Sequence, residues 1–434
     1  MSDFTIQPIT TPFTSAITPP GSKSITNRAL VLGALAAGRS TLSNVLFADD
    51  TRVMMEALEA LGFELRPQEQ THSVVMLGRG GTIPVAAARL QCGNSGTTIR
   101  FLTAMCALGK GEYILDGVER MRQRPIGDLA EMLKHLGVRT RFLEQSGFPP
   151  ILVHGDQLPG GLLRVGAAAS SQFLSAILMA APYARHELRV DLIEPQTSWP
   201  YVELTMLMMD AFHLTPELIR DPKTQEPKTI IVPQGTYTGQ SFAVEPDASN
   251  ACYFLALAAI HPGAKVTIRG LGKQSRQGDV GFGDVLRRMG AEVAMEKDSI
   301  SVTGPAELHG IDVDLAGMPD TAQTLSAVAL FANGRTVIRG LKTLRVKETD
   351  RLAALSAELT KLGAAVAATS DTLEIDAPLS VKPAEIATYD DHRMAMSFAL
   401  VATKSAGVVI KDSQCVNKTY PNFFEDLRKV LNPA

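Results

Sequence analysis

Lys23, Ser24 and Arg28 stand at the head of an apolar run, just after Pro19-Pro20-Gly21. Two prolines and a glycine halt the chain. A helix start with free N–H groups and nearby Lys and Arg binds a phosphate or a carboxylate. An ordinary helix capped by Ser24 or Thr26, with a solvated basic flank, accounts for the same residues. The theme recurs along the chain. Asn94-Ser-Gly-Thr-Thr-Ile-Arg100 centres on Gly96, where the missing Cβ lets a ligand approach the backbone. Arg120, Arg122 and Arg124 share one loop ahead of Pro125, a second candidate anion site. Ser170-Ser171-Gln172 opens another apolar run, and capping explains one serine but not both. Ser198-Trp-Pro-Tyr201 holds the only tryptophan and reads equally as packing.

The C-terminal half is richer in charge. Asp320 follows Met318-Pro319 and precedes an apolar run, where it reads as an N-cap. Arg345-Val-Lys347-Glu348-Thr-Asp350-Arg351 carries five charges in seven positions, with Glu348 and Arg351 spaced as an i,i+3 pair. Asp391-His392-Arg393 again sets charge before an apolar run, and Asn417-Lys418 repeats the pattern. Each alone is explained by a solvated helix start. Their recurrence at matching places is not, because one cleft can receive them all.

The elements that carry these residues repeat. A small-residue helix such as Arg28–Gly38 leads to a short strand (Ser40–Asn44), a polar loop and a second helix ending in Leu58–Phe63. Comparable runs begin at Phe101, Phe173, Tyr253, Leu325 and Met394, giving about six copies at a period of about 70 to 77 residues. Six copies predict two domains of three units each, with Ala-rich helices at the centre and strands outside. The break falls near Val244–Asn250. The strand before Pro19 lacks a first helix of its own and is expected to complete the sixth unit. Residues 1–20 and 245–434 then form one discontinuous domain and 21–244 the other, with the active site in the cleft between them. Pro19–Gly21 and Gly239–Glu245 become the two crossing strands of a hinge.

Length and composition agree. A chain of 434 residues exceeds one ordinary core, and 45% apolar with 20% charged residues reads as a globular protein. A net charge of -3 argues against a nucleic-acid binder, and no apolar run suits a bilayer. The first twenty residues carry Asp3 and no Lys or Arg, unlike a signal or transit peptide. Cys92, Cys106, Cys252 and Cys415 are far apart, so neither a metal site nor a disulfide framework is expected, and a cytoplasmic location fits. Gly21-Ser-Lys-Ser is not a P-loop, no dinucleotide fingerprint is complete, and neither H-E-x-x-H nor G-x-S-x-G occurs.

With those residues in view, the chain resembles the 3-phosphoshikimate 1-carboxyvinyltransferase (EPSP synthase) family nearly end to end. The carriers are Pro20–Arg28, Gly93–Thr97 with Arg100, Arg124-Pro-Ile, Ser170-Ser-Gln172, Arg345–Arg351, Asp391–Met396 and Lys418-Thr. The resemblance implies an α/β fold of two domains, each of three βαβαββ units around central helices (an inside-out α/β barrel). It implies that shikimate 3-phosphate and phosphoenolpyruvate react in the cleft without a cofactor or metal. It assigns Lys23, Ser24, Arg28, Ser170, Ser171, Gln172, Ser198, Tyr201, Asp320, Thr343 and Lys347 to the shikimate side. Lys23, Gly96, Arg124, Gln172, Arg351, Arg393 and Lys418 fall to phosphoenolpyruvate. The family chemistry adds the 5-hydroxyl to carbon 2 of phosphoenolpyruvate while carbon 3 gains a proton, then eliminates phosphate. Asp320 is the candidate base, Glu348 the candidate proton donor, and Lys23 lies near the bridging oxygen. The substrates bring up to about six negative charges, and each close pair with a cation is worth about 4 kcal/mol before desolvation. Repulsion among the cations is expected to hold an empty cleft open until anions neutralise it.

Some positions depart from the family pattern. Thr343 stands about where an Asn often contacts the shikimate phosphate. Ser95 and Thr98 replace the common Ala, and Phe101 the common Pro, beside the Gly96 that leaves room for the inhibitor glyphosate. The nearest alternative is the UDP-N-acetylglucosamine 1-carboxyvinyltransferase family. Many of its members carry a reactive Cys before the Arg-Pro pair, whereas Gly117–Arg124 has none. A non-catalytic binder of phosphorylated acids would have little use for Asp320 and Glu348. The partners expected are the two small substrates, with neither nucleic acid nor membrane, and a monomer.

Overall fold

Both runs of every repeat fold as helices. In chain order these are α1 (Lys23–Leu35), α2 (Asp49–Ala60), α3 (Gly96–Cys106), α4 (Gly127–His135), α5 (Ser171–Ala180) and α6 (Trp199–Ala211). Then come α7 (Ala248–Ile260), α8 (Phe282–Arg288), α9 (Ala322–Ala329), α10 (Arg351–Lys361), α11 (His392–Ala402) and α12 (Phe423–Leu431). The computed structural model describes residues 3–166 and 170–432. The odd-numbered helices are central. Every residue of α3 and α11 is buried, and α7 is buried apart from Ser249. Past their polar first turns these helices are largely apolar on every side, which leaves no face for water. Small residues let neighbours approach: a Cβ on Gly33 of α1 would lie 2.7 Å from the Met76 sulfur. The outer helices α2, α4, α10 and α12 instead bury one stripe, such as Phe423, Leu427, Val430 and Leu431.

The chain divides into two compact units, Gly21–Val244 and Met1–Pro20 with Glu245–Ala434. In the 21–244 unit the strands form three four-stranded sheets of one topology. In the second repeat Ala87–Gln91 pairs parallel with Lys110–Asp116, which pairs antiparallel with Ile151–Asp156, and that with Arg139–Phe142. Parallel neighbours need a crossover, and the central helix α3 supplies it. The first repeat takes its parallel strand from the far end of the unit, Ser241–Ala243 against Ala37–Ser43.

The discontinuous unit repeats the topology twice in full. Its sixth repeat is shorter: Ala384–Ile386 pairs parallel with Val408–Ile410. The N-terminal segment corrects the sequence expectation. Thr14–Ile17 joins Lys265–Arg269 of the fourth repeat, and Phe4 alone bridges antiparallel to Ile410 of the sixth. The reason is a hydrogen-bonding vacancy. Ser241–Ala243, which precedes α7, is spent on the first repeat, so the edge at Lys265–Arg269 needs another strand.

Where the chain leaves one unit for the other, Gly21 has no alternative. A Cβ there would sit 1.8 Å from the carbonyl oxygen of Asn44. The Asn44 amide in turn donates to the Val244 carbonyl at 2.8 Å, tying the two ends of the 21–244 unit together.

Candidate active site

In the 21–244 unit the candidate residues converge on the starts of α1, α3 and α5. Ser22, Ser95 and Ser170 cap these helices, accepting from the backbone N–H of Ile25, Thr98 and Gln172. Neither Ser24 nor Thr26 is the cap of α1, because the helix begins one residue earlier, at Lys23. The Thr26 hydroxyl accepts from the Leu46 N–H instead. The helix starts are stitched side by side. Asn27 donates to Thr97 at 2.6 Å, and Arg100 donates to Gln172 Oε1 at 2.7 Å and Ser170 Oγ at 3.3 Å.

Lys23 Nζ lies 3.3 Å from Asp50 and is mostly covered. Gly96 is the first residue of α3, and a Cβ on it would meet Arg124 Nη2 at 2.7 Å. Arg124 is buried and donates to both the backbone and the side-chain oxygen of Asn94. Its loop partners go elsewhere. Arg122 pairs with Asp116 at 2.6 Å, and Arg120 bonds Gln123 on the surface. Of the three, Arg124 is the one whose described hydrogen bonds reach the loop before α3.

Arg28 is turned inward. It is 1% exposed and donates to Thr205 Oγ1, Ser175 Oγ and the carbonyls of Ser24 and Tyr201. Burial lowers its pKa to about 10. Within the structure Arg28 is a brace between α1, α5 and α6, and it fixes the backbone of Tyr201. Ser198 precedes α6 in the left-handed region (φ 52°) and is buried. That conformation is costly for a serine and sharply redirects the chain into α6.

The discontinuous unit gathers a charge network at the starts of α9, α10 and α11. Arg351, the first residue of α10, is 1% exposed and serves three carboxylates. It donates to Asp391 at 2.7 and 3.2 Å, to Glu348 at 2.9 Å and to Asp320 at 3.1 Å. Burial opposes its charge, but Asp391, Glu348 and Asp320 outweigh that and hold the guanidinium charged. Asp320 also accepts from Arg393 at 2.8 Å and lies 3.6 Å from Lys347. It sits inside the 3₁₀ turn Pro319–Thr321, and Thr321 takes the N-cap position of α9, so the N-cap reading of Asp320 is corrected. The Glu348–Arg351 pair is likewise no solvated helix start, since both side chains are under 10% exposed. Asp391 caps α11 through the Arg393 N–H while holding Arg351. Lys418 ends the 3₁₀ stretch Ser413–Lys418 and is buried. Thr343 lies in the 3₁₀ turn Lys342–Val346, buried, with a hydroxyl that has no hydrogen-bond partner among the described residues.

Sequence reasoning missed four positioning groups. Asp50 faces Lys23, and Asn94 holds Arg124. Asp391 was seen in its motif but given no role. Asp279 is a buried carboxyl bonded to Ser249, near Asp320 and Arg393, with its pKa pushed up to about 6 by burial. The last lies far in sequence from any cation-rich motif, so nothing local marks it. Among the described residues no cluster of His, Cys, Asp or Glu has metal-binding geometry, and no helix is long and apolar enough to cross a membrane.

Cations, hydroxyls and carboxylates set on the starts of buried, repeated helices define an α/β enzyme built to hold small anions and move protons beside them. The chain belongs to the EPSP synthase (3-phosphoshikimate 1-carboxyvinyltransferase) family, whose sequence model matches residues 8–427. It is 41% identical to the 3-phosphoshikimate 1-carboxyvinyltransferase of Trichormus variabilis over 431 residues, covering 99% of this chain and 100% of that one. It is 43% identical to the enzyme of the same name from Aliivibrio salmonicida over 434 residues, covering 99% and 100%. The solved structure of EPSP synthase from Acinetobacter baumannii superposes with a TM-score of 0.81 at 27% identity, over 99% of this chain and 98% of that one.

Proposed function

We propose that the chain transfers the enolpyruvyl group of phosphoenolpyruvate to the 5-hydroxyl of 3-phosphoshikimate, giving 5-enolpyruvylshikimate 3-phosphate and phosphate. It is a carboxyvinyltransferase of the shikimate route to chorismate and the aromatic amino acids. Family membership supports the reaction. The observation that carries the assignment of roles is the pair of carboxylates, Asp320 and Glu348, held by one buried guanidinium, Arg351.

In this reading Asp320 accepts the proton of the 5-hydroxyl as its oxygen bonds to carbon 2 of phosphoenolpyruvate. Glu348 gives a proton to carbon 3, closing the addition with atoms balanced. Carbon 3 of the adduct then returns a proton to the Glu348 carboxylate, the bond from carbon 2 to the phosphate oxygen breaks, and the vinyl double bond re-forms as phosphate leaves with the proton held by Asp320. Arg351 suits both steps because it orients each carboxylate and stays charged throughout. Lys23, Arg124, Arg393 and Lys418 stabilise charge on the departing phosphate. Ser24, Ser170, Ser171, Gln172, Ser198, Tyr201, Thr343 and Lys347 hold 3-phosphoshikimate, and Gly96 keeps the phosphoenolpyruvate side clear. Arg28 serves 3-phosphoshikimate through the Tyr201 backbone it braces, and Arg351 serves phosphoenolpyruvate through the carboxylates it holds. Residues of both stretches of the chain are assigned to the one reaction. A cytoplasmic monomer, with room beside Gly96 for glyphosate, belongs to the same proposal.

Release of phosphate on mixing 3-phosphoshikimate and phosphoenolpyruvate with the protein tests it. Release with UDP-N-acetylglucosamine in place of 3-phosphoshikimate would reassign the acceptor. Saturable binding of both substrates without release would make the protein a binder and remove the transfer step.

A further inference from the structure

We infer that Arg100 is a positioning residue that makes the start of α5 a donor-only surface, selective for an anion; the inference rests on the function proposed above. Arg100 lies on α3, 3% exposed, with its guanidinium 5.0 Å above the Phe173 ring. A guanidinium has donors and no acceptor. The Gln172 oxygen must therefore be the atom that faces it, at 2.7 Å, and this fixes the orientation of the amide. The Gln172 NH2 group is left pointing away from Arg100. Ser170 is treated in the same way. Its oxygen accepts from Arg100 at 3.3 Å and from the Gln172 N–H at 3.3 Å, which fills its acceptor positions. The hydroxyl hydrogen remains.

Neither the Ser170 hydroxyl hydrogen nor the Gln172 side-chain N–H groups meets a protein acceptor among the described residues, and both side chains are partly exposed. Both groups are ambivalent by chemistry, able to donate or accept. Arg100 removes the ambivalence. A phosphate or carboxylate, which only accepts, finds donors already aimed; a neutral ligand with hydroxyl donors finds no acceptor. Pre-aimed donors save the cost of reorienting them on binding.

Calorimetric binding of 3-phosphoshikimate, with inorganic phosphate as a second anion, tests this in four proteins. The unsubstituted chain sets the reference. Arg100→Met frees both groups to rotate and is expected to weaken both anions about tenfold. Arg100→Lys, still a donor without an acceptor, is expected to stay within about threefold of the reference. Gln172→Glu keeps an oxygen toward Arg100 but replaces the outward donor with a charged oxygen, and is expected to weaken anions about a hundredfold without lowering the melting temperature. Equal weakening in Arg100→Met and Arg100→Lys would reduce Arg100 to packing. Wild-type affinity in Gln172→Glu would overturn the inference outright, as would a reference protein that binds neither anion. Turnover is measured in parallel. Anion binding that follows this pattern in a protein without turnover would sink the proposed transfer and leave the role of Arg100 standing.

Discussion

Arg351 Nε donates to Asp391 Oδ2 across 2.7 Å, and neither side chain reaches solvent. The bond joins the first residue of α10 to the cap of α11, and through Arg351 it reaches Glu348 and Asp320. A buried ion pair of this kind is costly to break, because the surviving charge is left without a partner. Arg351→Met is expected to lower the unfolding free energy by about 3–5 kcal/mol in urea denaturation. Asp391→Asn keeps an oxygen toward Arg351 and is expected to leave the fold intact while reducing kcat/KM. Full activity in Asp391→Asn would show that the charge of Asp391 is not needed to hold Arg351.

Glu348→Gln separates proton transfer from binding. The amide oxygen still accepts from Arg351, so both substrates should bind as before. Loss of a positioned proton donor typically costs about 10²–10⁴ in rate. Rapid-quench measurement of phosphate release gives the comparison, and unchanged turnover would remove Glu348 from the chemistry.

Gly96→Ala probes the fit between α3 and Arg124. The added methyl would lie 2.7 Å from Arg124 Nη2, and the end of that side chain must shift. Alanine favours the helix, so the melting temperature should hold or rise. A displaced cation should raise the KM for phosphoenolpyruvate about tenfold or more while leaving that for 3-phosphoshikimate near the reference. An equal rise in both would mean that the disturbance is not confined to Arg124.

Asp279 gives a pH dependence with a definite sign. Burial raises its pKa from 3.8 to about 6, so the folded state prefers the protonated form. This group favours folding most below pH 3.8, and the advantage is lost as pH rises through about 6. Asp279→Asn escapes that loss. Its stability should exceed the reference by about 3 kcal/mol at pH 8, and the gap should shrink as pH falls toward 4. A gap independent of pH would show that the carboxylate is compensated in the fold.

Much of the site was legible because its members sit at recurring positions. Lys23, Gly96, Ser171, Arg351 and Arg393 all fall within the first two residues of a helix, and helix starts are readable from punctuation and hydropathy. The direction of each side chain was not readable. Arg120, Arg122 and Arg124 look equivalent in sequence, yet only the last is drawn to Asn94, because Asp116 and Glu144 hold Arg122 outward. Arg28 reads in sequence as one more basic residue at a helix start, and folding turns its guanidinium toward Thr205, Ser175 and the Tyr201 carbonyl. Asp279 gave no signal, since Ser249 lies thirty residues away and Asp320 and Arg393 arrive from other repeats.

The sequence alone determined the repeat, the twelve helical runs and the family, because hydrophobic periodicity and Gly/Pro punctuation are local properties of the chain. Tertiary structure decided which strand fills which sheet. It sent Thr14–Ile17 to the fourth repeat and only Phe4 to the sixth, since an open strand edge is satisfied by whatever segment the fold brings to it. It also decided which charges are partners and which are free to meet a ligand, as in the closing of Arg351 around three carboxylates. That choice depends on burial and on neighbours far apart in sequence, and both come into being only when the chain has folded.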